Sequence, residues 1–340
     1  MALSTRLGGF KILEGMARFS LTLQTEPKNP PARFCSLIAQ KEINLPYFTC
    51  INNGDTWGIN TMVDADHGLN LSLLIDENFG RVFDHASESA ILSIFPHRRD
   101  PGIMGILLET FGKTGIEPDA LASSPSTISV VLDEKYLDRI GDALFGPFSF
   151  GAYRTPHDWK LTQEGKEQLY KEVVASYQEQ KPKVYGLEYQ DGQEIIRIWL
   201  DSHSIGGFGS PFKEFGQQGL NLSFSATGPR KGEGKGVLAF CLPASEKHSH
   251  SEVIDSMVEG KETDSISPVG VFSMNGPHFG DRYGIVSELL MAFEDNGIEL
   301  LGLSCTIASI TGVVPSTQLD PAIRAVQNCF EVPNVIKKEG

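Results

Sequence analysis

One spacing constrains this chain more than any other feature. A glycine, a helical run and a second glycine thirteen residues on occur three times, at Gly102 and Gly115, Gly206 and Gly219, and Gly284 and Gly297. Between the last pair, apolar residues recur at three- and four-residue steps, the helical period. Asn296-Gly297 then supplies the residue that most readily ends a helix. Each run is preceded by a short apolar strand pattern and followed by two more and a second helix. In the last copy the strand covers residues 271–274, the turn 275–284, the helix 285–293, two further strands 298–303 and 308–314, and the closing helix opens at Asp320-Pro321. That opening places a capping residue before a proline in the first turn.

The same order is read at residues 90–148 and 194–258. A fourth, weaker copy covers residues 18–79, with Glu42-Ile43-Asn44 where the others have Gly-Ile or Gly-Leu, and with Pro27, Pro30 and Pro31 crowding its first loop. From Glu42 to Gly115 is 73 residues and from Gly219 to Gly297 is 78; from Glu42 to Gly219 is 177 and from Gly115 to Gly297 is 182. The chain therefore reads as two halves of two copies. Between them lies a polar stretch, residues 161–180, carrying Leu169, Tyr170, Val173, Val174 and Tyr177, the pattern of a helix packed on one side. Two helices and at least three strands in about 60 residues fit a ferredoxin-like βαββαβ unit. The expectation is an α+β protein of four such repeats in two tandem pairs: residues 10–85, 86–150, 183–262 and 263–340, joined by a connector helix at 151–182. The fourth copy is expected to pair with the third.

Composition narrows the function. A formal charge of −14 argues against nucleic acid or an anionic membrane as partner. Five scattered cysteines, none in a C-x-x-C pair, suit a reducing compartment. Residues 1–10 have no apolar core of a signal peptide, and no run of 18 apolar residues exists, so the cytoplasm is expected.

Several motifs resemble ACT domains, the small ligand-binding modules of amino-acid metabolism, and more closely the paired ACT domains at the C-terminal end of aspartate kinases. They are Asp281-Arg282-Tyr283-Gly284-Ile285 with Gly297-Ile298-Glu299-Leu300, the downstream Ala322-Ile323-Arg324-Ala325-Val326, Asp100-Pro101-Gly102-Ile103 with Gly115-Ile116-Glu117-Pro118, and Val184-Tyr185-Gly186-Leu187. The kinase domain of that family begins with a Lys-Phe-Gly-Gly-type phosphate-binding motif, which is not found here. The repeats and connector take up all 340 residues. The resemblance thus implies a stand-alone regulatory protein of amino-acid metabolism without a kinase domain, sensing an amino acid or similar small effector and not an enzyme.

The resemblance places the effector between a first loop and the strand of a neighbouring copy. In the third copy the matching residues are Asp201, Ser202, His203, Ser204, Ile205 and Gly206. In the fourth they are Asn275, His278, Asp281, Arg282, Tyr283, Gly284 and Ile285. The second copy offers His97, Arg98, Asp100, Gly102 and Ile103. A helix N-terminus with glycine beside it can hold a carboxylate, yet Asp-Pro-Gly and Asn-Gly-Pro are also ordinary turn formers. The family's Gln-Asn pair at the end of a second strand aligns with Thr227-Gly228, while the first copy has Asn52-Asn53 nearby.

Other motifs fail. His248-Ser249-His250 lacks companion ligands at metal spacing. The run from Gly228 to Gly236 breaks the phosphate-loop spacing and reads as a hairpin tip. No metal and no cofactor is expected. Protein partners in this reading are a biosynthetic enzyme and a second copy of the chain. The competing readings are a structural subunit pairing through sheet edges, a relic of an aspartate kinase without ligand, and an enzyme with a dispersed site.

Overall fold

A computed structural model describes residues 5–25, 29–80, 83–96, 99–151, 153–163, 181–200, 205–229, 236–246, 251–276, 279 and 282–338. The connector predicted at 161–180 lies almost wholly outside them.

The chain is a mixed α/β fold in which one order of elements recurs by quarters. The first quarter holds β1 (Thr5–Leu7), β2 (Gly9–Gln24), α1 (Pro30–Ala39), β3 (Tyr47–Asn52), β4 (Thr56–Asp64) and α2 (Ala65–Phe79). The second holds β5 (Phe83–Phe95), α3 (Pro101–Thr114), β6 (Ala120–Ser123), β7 (Ile128–Asp133), α4 (Leu137–Phe145) and β8 (Phe148–Phe150), followed by α5 (Pro156–Gln163). The third holds β9 (Gly186–Leu200), α6 (Gly209–Gln217), β10 (Phe224–Pro229), β11 (Gly236–Pro243) and α7 (Ser251–Val258). The fourth holds β12 (Thr263–Asn275), α8 (Ile285–Asp295), β13 (Gly302–Cys305), β14 (Ser309–Pro315), α9 (Leu319–Cys329) and β15 (Val335–Lys337).

The thirteen-residue spacing has a backbone cause. Gly115, Gly219 and Gly297 are all left-handed, with φ of 65°, 78° and 63°. The next residue turns back to bond the helix: Ile116 N–H to Phe111 O at 2.9 Å, Leu220 to Phe215 at 3.0 Å, Ile298 to Phe293 at 2.8 Å. This is the Schellman closure, and it buries an apolar pair in each copy. In the first quarter Glu42 takes the same left-handed turn, φ 55°, and Ile43 bonds Ile38 O at 3.3 Å. The copy without the glycine keeps its geometry.

The strands pair in the order β11-β10-β6-β7-β5-β2-β4-β3-β13-β14-β12-β9-β15, and β9 also pairs with β11, so the ladder closes on itself. The closed ladder is flattened into two facing sheets that share four long strands. Residues Arg18 to Leu21 of β2 pair with Ala86 to Phe83 of β5 in one sheet, while Gly9 to Leu13 pair with Phe95 to Ile91 in the other. Strands β9 and β12 pass between the sheets in the same way. Gly15 and Gly192, both left-handed, stand at equivalent points of β2 and β9, 177 residues apart (192 − 15). That separation is the half-chain spacing read from the sequence.

Each sheet has an apolar core on both faces. Helices α1, α2, α8 and α9 cover one outer face with Phe34, Phe48, Phe272 and Phe293, and α3, α4, α6 and α7 cover the other with Phe111, Phe212, Phe215 and Phe240. Between the sheets lie Ile51, Phe224, Val237, Val271 and Val313, and a smaller group around Tyr47, Met62 and Ile91. Four of the five cysteines are buried and all are free thiols.

The fourth quarter pairs with the third through the long β9–β12 ladder, as expected, but each quarter also meets a partner that the sequence did not indicate. The fourth shares long strands with the third, but its hairpin edge and helices go elsewhere. Strand β13 pairs with β3, joining the fourth quarter to the first, and β10 pairs with β6, joining the third to the second. Helix α1 lies beside α8 and α3 beside α6 at these two seams. Short hairpin strands look alike in sequence, so periodicity does not reveal which edges meet. Closing the ladder inside one chain pairs most of the described strands on both sides, with β15 left as an edge.

Candidate functional site

The two seams differ. At the second–third seam, α3 and α6 touch through backbone. A Cβ built on Gly105 would lie 2.4 Å from Lys213 N and 2.6 Å from Gly209 O. Helix α3 also fills its own N-terminus: Asp100 Oδ1 accepts the Gly102 N–H at 2.8 Å, and Pro101 has no N–H to offer. Among the described residues, backbone and the Asp100 carboxylate fill this contact.

At the first–fourth seam the helices stand further apart and leave a small pocket. One wall is the first turn of α8, Gly284 to Ser287, with Phe279 and Arg282 before it. The other is the apolar end of α1, Cys35, Ile38 and Ala39, continued by Ile43 and Leu45. Gly284 occupies the N-cap of α8 with φ 85° and has no side chain of its own to cap the helix. The first-turn N–H groups have no intrahelical acceptor, and the helix dipole places partial positive charge beside them. Helix α1 opens instead on Pro30 and Pro31, which removes donors. Arg282 adds a full positive charge to the same wall. On the rim, the Tyr283 hydroxyl donates to Glu42 Oε1 at 3.5 Å. Burial pushes the Glu288 carboxyl up, an effect the nearby Arg282 cation opposes. Burial, with Cys50 and Cys305 close by, holds the Cys35 thiol well above its ordinary value, so it is a neutral wall.

A second small pocket opens between the sheets. Arg18 and Asp119 face each other across it at 3.9 Å. Arg18 also donates to Ser20 Oγ (3.0 Å) and Asp84 Oδ2 (3.1 Å). Asn60 accepts from Ser20 Oγ (2.7 Å) and donates to Thr227 O (3.0 Å). Thr227-Gly228, the pair aligned with Gln-Asn, borders this pocket.

The sequence-predicted residues divide three ways. Arg282, Gly284 and Ile285 line the seam pocket, with Tyr283 on its rim; Ile205 lines the inner one. Asn275 is elsewhere: its side chain accepts from Ser126 Oγ at 3.1 Å, fastening β12 to the β6–β7 hairpin. Gly206 sits beside Ile205 in the same 3-10 turn, Ile205–Phe208. Asp201, Ser202, His203, Ser204, His278, Asp281, His97 and Arg98 lie outside the described residues. Sequence reasoning missed the α1 wall and the Arg18–Asp119 pair. The only pointer to the wall was the alignment of Glu42-Ile43 with Gly297-Ile298. Among the described residues, no group of three or more metal-ligating side chains is found, and no helix is long and apolar enough to cross a membrane.

No protein-family model matches the chain, and no curated protein matches it. Solved structures do. An aspartate kinase from Synechocystis is similar over 97% of this chain and 57% of its own, with a TM-score of 0.78 and 14% identity. The regulatory subunit of aspartate kinase from Thermus thermophilus, in its ligand-free form, matches 43% of this chain and 98% of its own, with a TM-score of 0.38 and 15% identity. The chain thus spans just over half the length of the first, and the likeness at that identity is one of fold. It nonetheless corrects the expectation of a stand-alone regulatory protein without a kinase, sensing effectors and not an enzyme. The fold shared along nearly the whole chain is found in a solved aspartate kinase, and not in isolated regulatory subunits alone. The expectation rested on a missing local motif, and at 14% identity such motifs carry little weight.

Proposed function

We propose that the chain serves an aspartate-kinase-type enzyme whose activity answers to an amino acid bound at the seam between the first and fourth quarters. In this reading the quarters are four ACT-like, ferredoxin-like βαββαβ repeats in two tandem pairs, 10–85 with 86–150 and 183–262 with 263–340, joined by 151–182, and the protein works in the cytoplasm. The observation that carries the reading is the first turn of α8 beside Arg282, with glycine at its N-cap, facing an apolar wall across the seam. A carboxylate would be held by the first-turn N–H groups and the guanidinium. The ammonium group would stay at the rim near Glu42 and Glu288, and the side chain would pack on α1. Because the pocket is shared by two quarters, a ligand binds better to one spacing of α1 and α8 than to another, which is what coupling requires.

The inner pocket supports a second placement, because Arg18 and Asp119 together offer both charges that a zwitterion needs. A thermal-shift screen of the twenty amino acids decides between these. A ligand at a hundredfold excess over its Kd raises stability by about 2.7 kcal/mol. Loss of the shift in Arg282→Gln places the ligand at the seam; loss in Arg18→Gln places it between the sheets. The absence of a shift with every amino acid at millimolar concentration would refute the reading. ATP-dependent phosphorylation of aspartate, measured with and without the stabilising amino acid, tests the enzymatic side.

A further inference from the structure

We infer, independently of the amino-acid reading, that the outer face of α2 is a docking surface for a basic amphipathic helix of a partner protein. Leu69 and Leu73 lie one turn apart on α2 and are 73% and 54% exposed. The helix holds to its sheet by the opposite side, where Gly68, Leu71 and Ile75 are buried. A single exposed leucine is ordinary on a protein surface. This pair is not, because the other quarters show what the fold places there. The second helices of the quarters align on the last residue of the strand before each, Asp64, Asp133, Pro243 and Pro315. In that register Ile75 falls with Leu144, Ile254 and Val326, all buried. Leu73 then falls with Asp142, Glu252 and Arg324, and Leu69 with Asp138 and Asp320, all exposed. At positions that face water, the other described copies carry charge and α2 carries leucine twice.

Charge selects the occupant. Ala65–Phe79 contains no lysine or arginine. Asp66, Asn70 and Glu77 are exposed on the same face as the leucines, at three- and four-residue steps from them, and Asp76 stands half-buried at its flank. Arg33 of α1 meets α2 at its C-terminal end, over the Phe79 ring at 5.0 Å from its centroid. A two-leucine stripe inside an acidic rim fits a helix that carries apolar residues four apart with lysine or arginine beside them. A second copy of the chain would bring one acidic rim against another, and an anionic lipid surface would meet the same repulsion. Two leucines make a small contact, so the complex belongs to the weak, transient class.

The probe is a labelled helical peptide of leucine and lysine at amphipathic spacing, titrated with the full chain by fluorescence anisotropy beside a counterpart with glutamate for lysine. The lysine peptide is expected to bind and the glutamate peptide not to. The deciding variant carries Leu69→Asp with Leu73→Asp, which gives α2 the residues that α4 has at both positions, Asp138 and Asp142. It should weaken binding of the lysine peptide about tenfold or more and leave the urea midpoint unchanged. The variant adds negative charge, so binding through charge alone would tighten instead. Equal or tighter binding by the variant therefore overturns the proposal, as does a lysine peptide that fails to bind or a glutamate peptide that binds as well. Self-association of the wild-type chain that the variant abolishes would make the face an interface between copies, and also overturns it. If the variant does not fold, photo-crosslinking of the lysine peptide to the wild-type chain decides: crosslinks within residues 66–77 support the proposal, and crosslinks elsewhere overturn it.

Discussion

Replacing Glu42 by glycine should stabilise the protein, although it removes a side chain and makes no new contact. Glu42 is left-handed at φ 55°, where the other three quarters place glycine. An L-residue in that conformation costs about 1–2 kcal/mol. Glycine returns about 0.5–1 kcal/mol of this through the greater freedom of its unfolded chain. The contact that would be lost, Tyr283 hydroxyl to Glu42 at 3.5 Å on the surface, is at the limit of a hydrogen bond and weighs little. The balance is a gain of about 0.5–1 kcal/mol, or a rise in Tm of about 1 °C for a chain of this size. The Ile43–Ile38 closure, at 3.3 Å the longest of the four, should shorten. Gly297→Ala is the converse experiment. A Cβ there meets nothing within 4 Å, so its effect is purely one of backbone, a loss of about 1 kcal/mol. Urea midpoints of both variants test the pair. If Glu42→Gly lowers stability and Gly297→Ala leaves it unchanged, a shared left-handed closure is not what the thirteen-residue spacing encodes.

Further outcomes follow from single contacts. Gly105→Ala must push α3 from α6, because its methyl would lie 2.4 Å from backbone, and it should cost about 1–3 kcal/mol in urea unfolding. Asp264→Ala strands the nearly buried Arg197, which Asp264 holds through two bonds at 2.7 and 2.5 Å and which also donates to Asn52 O. Because Asp264 is itself partly exposed, about 1–3 kcal/mol is expected, read by the same assay. Burial raises the Glu288 carboxyl, so the folded state binds its proton more tightly than the unfolded chain. That contribution is present at low pH and is lost as pH rises through the ordinary glutamate range to the raised folded value. Glu288→Gln should flatten this part of the stability–pH curve, measured by urea midpoints from pH 4 to 7.

The thirteen-residue spacing was legible because it is written in backbone chemistry. A left-handed helix stop favours glycine wherever it occurs, and three of four copies obey. The helices at 285–293 and 251–258 were placed within two residues, since their faces are packed against a sheet and their periodicity is strong. The strand expected at 298–303 begins only at Gly302, because Ile298 is spent on closing α8. Helix α2 starts at Ala65, well before Asn70, and exposes Leu69 and Leu73, which blur its periodicity. Seam partners were not legible. Nothing in Tyr47–Asn52 distinguishes a strand that meets Gly302–Cys305 from one that meets Ala120–Ser123. The site was therefore half visible: Arg282, Gly284 and Ile285 stand out as a turn with glycine and charge, whereas Cys35, Ile38 and Ala39 read as one helix's ordinary core. The expectation of a non-enzyme failed because it argued from what a few residues lacked.

The central claim is that an amino acid binds where α8 meets α1. Hydrogen–deuterium exchange of the full chain, with and without the amino acid giving the largest thermal shift, tests it directly. Slowed exchange confined to residues 282–290 and 35–45 is the predicted result. Slowed exchange at 18–20, 60 and 225–229 instead, or no change at the seam with the ligand saturating, would contradict it.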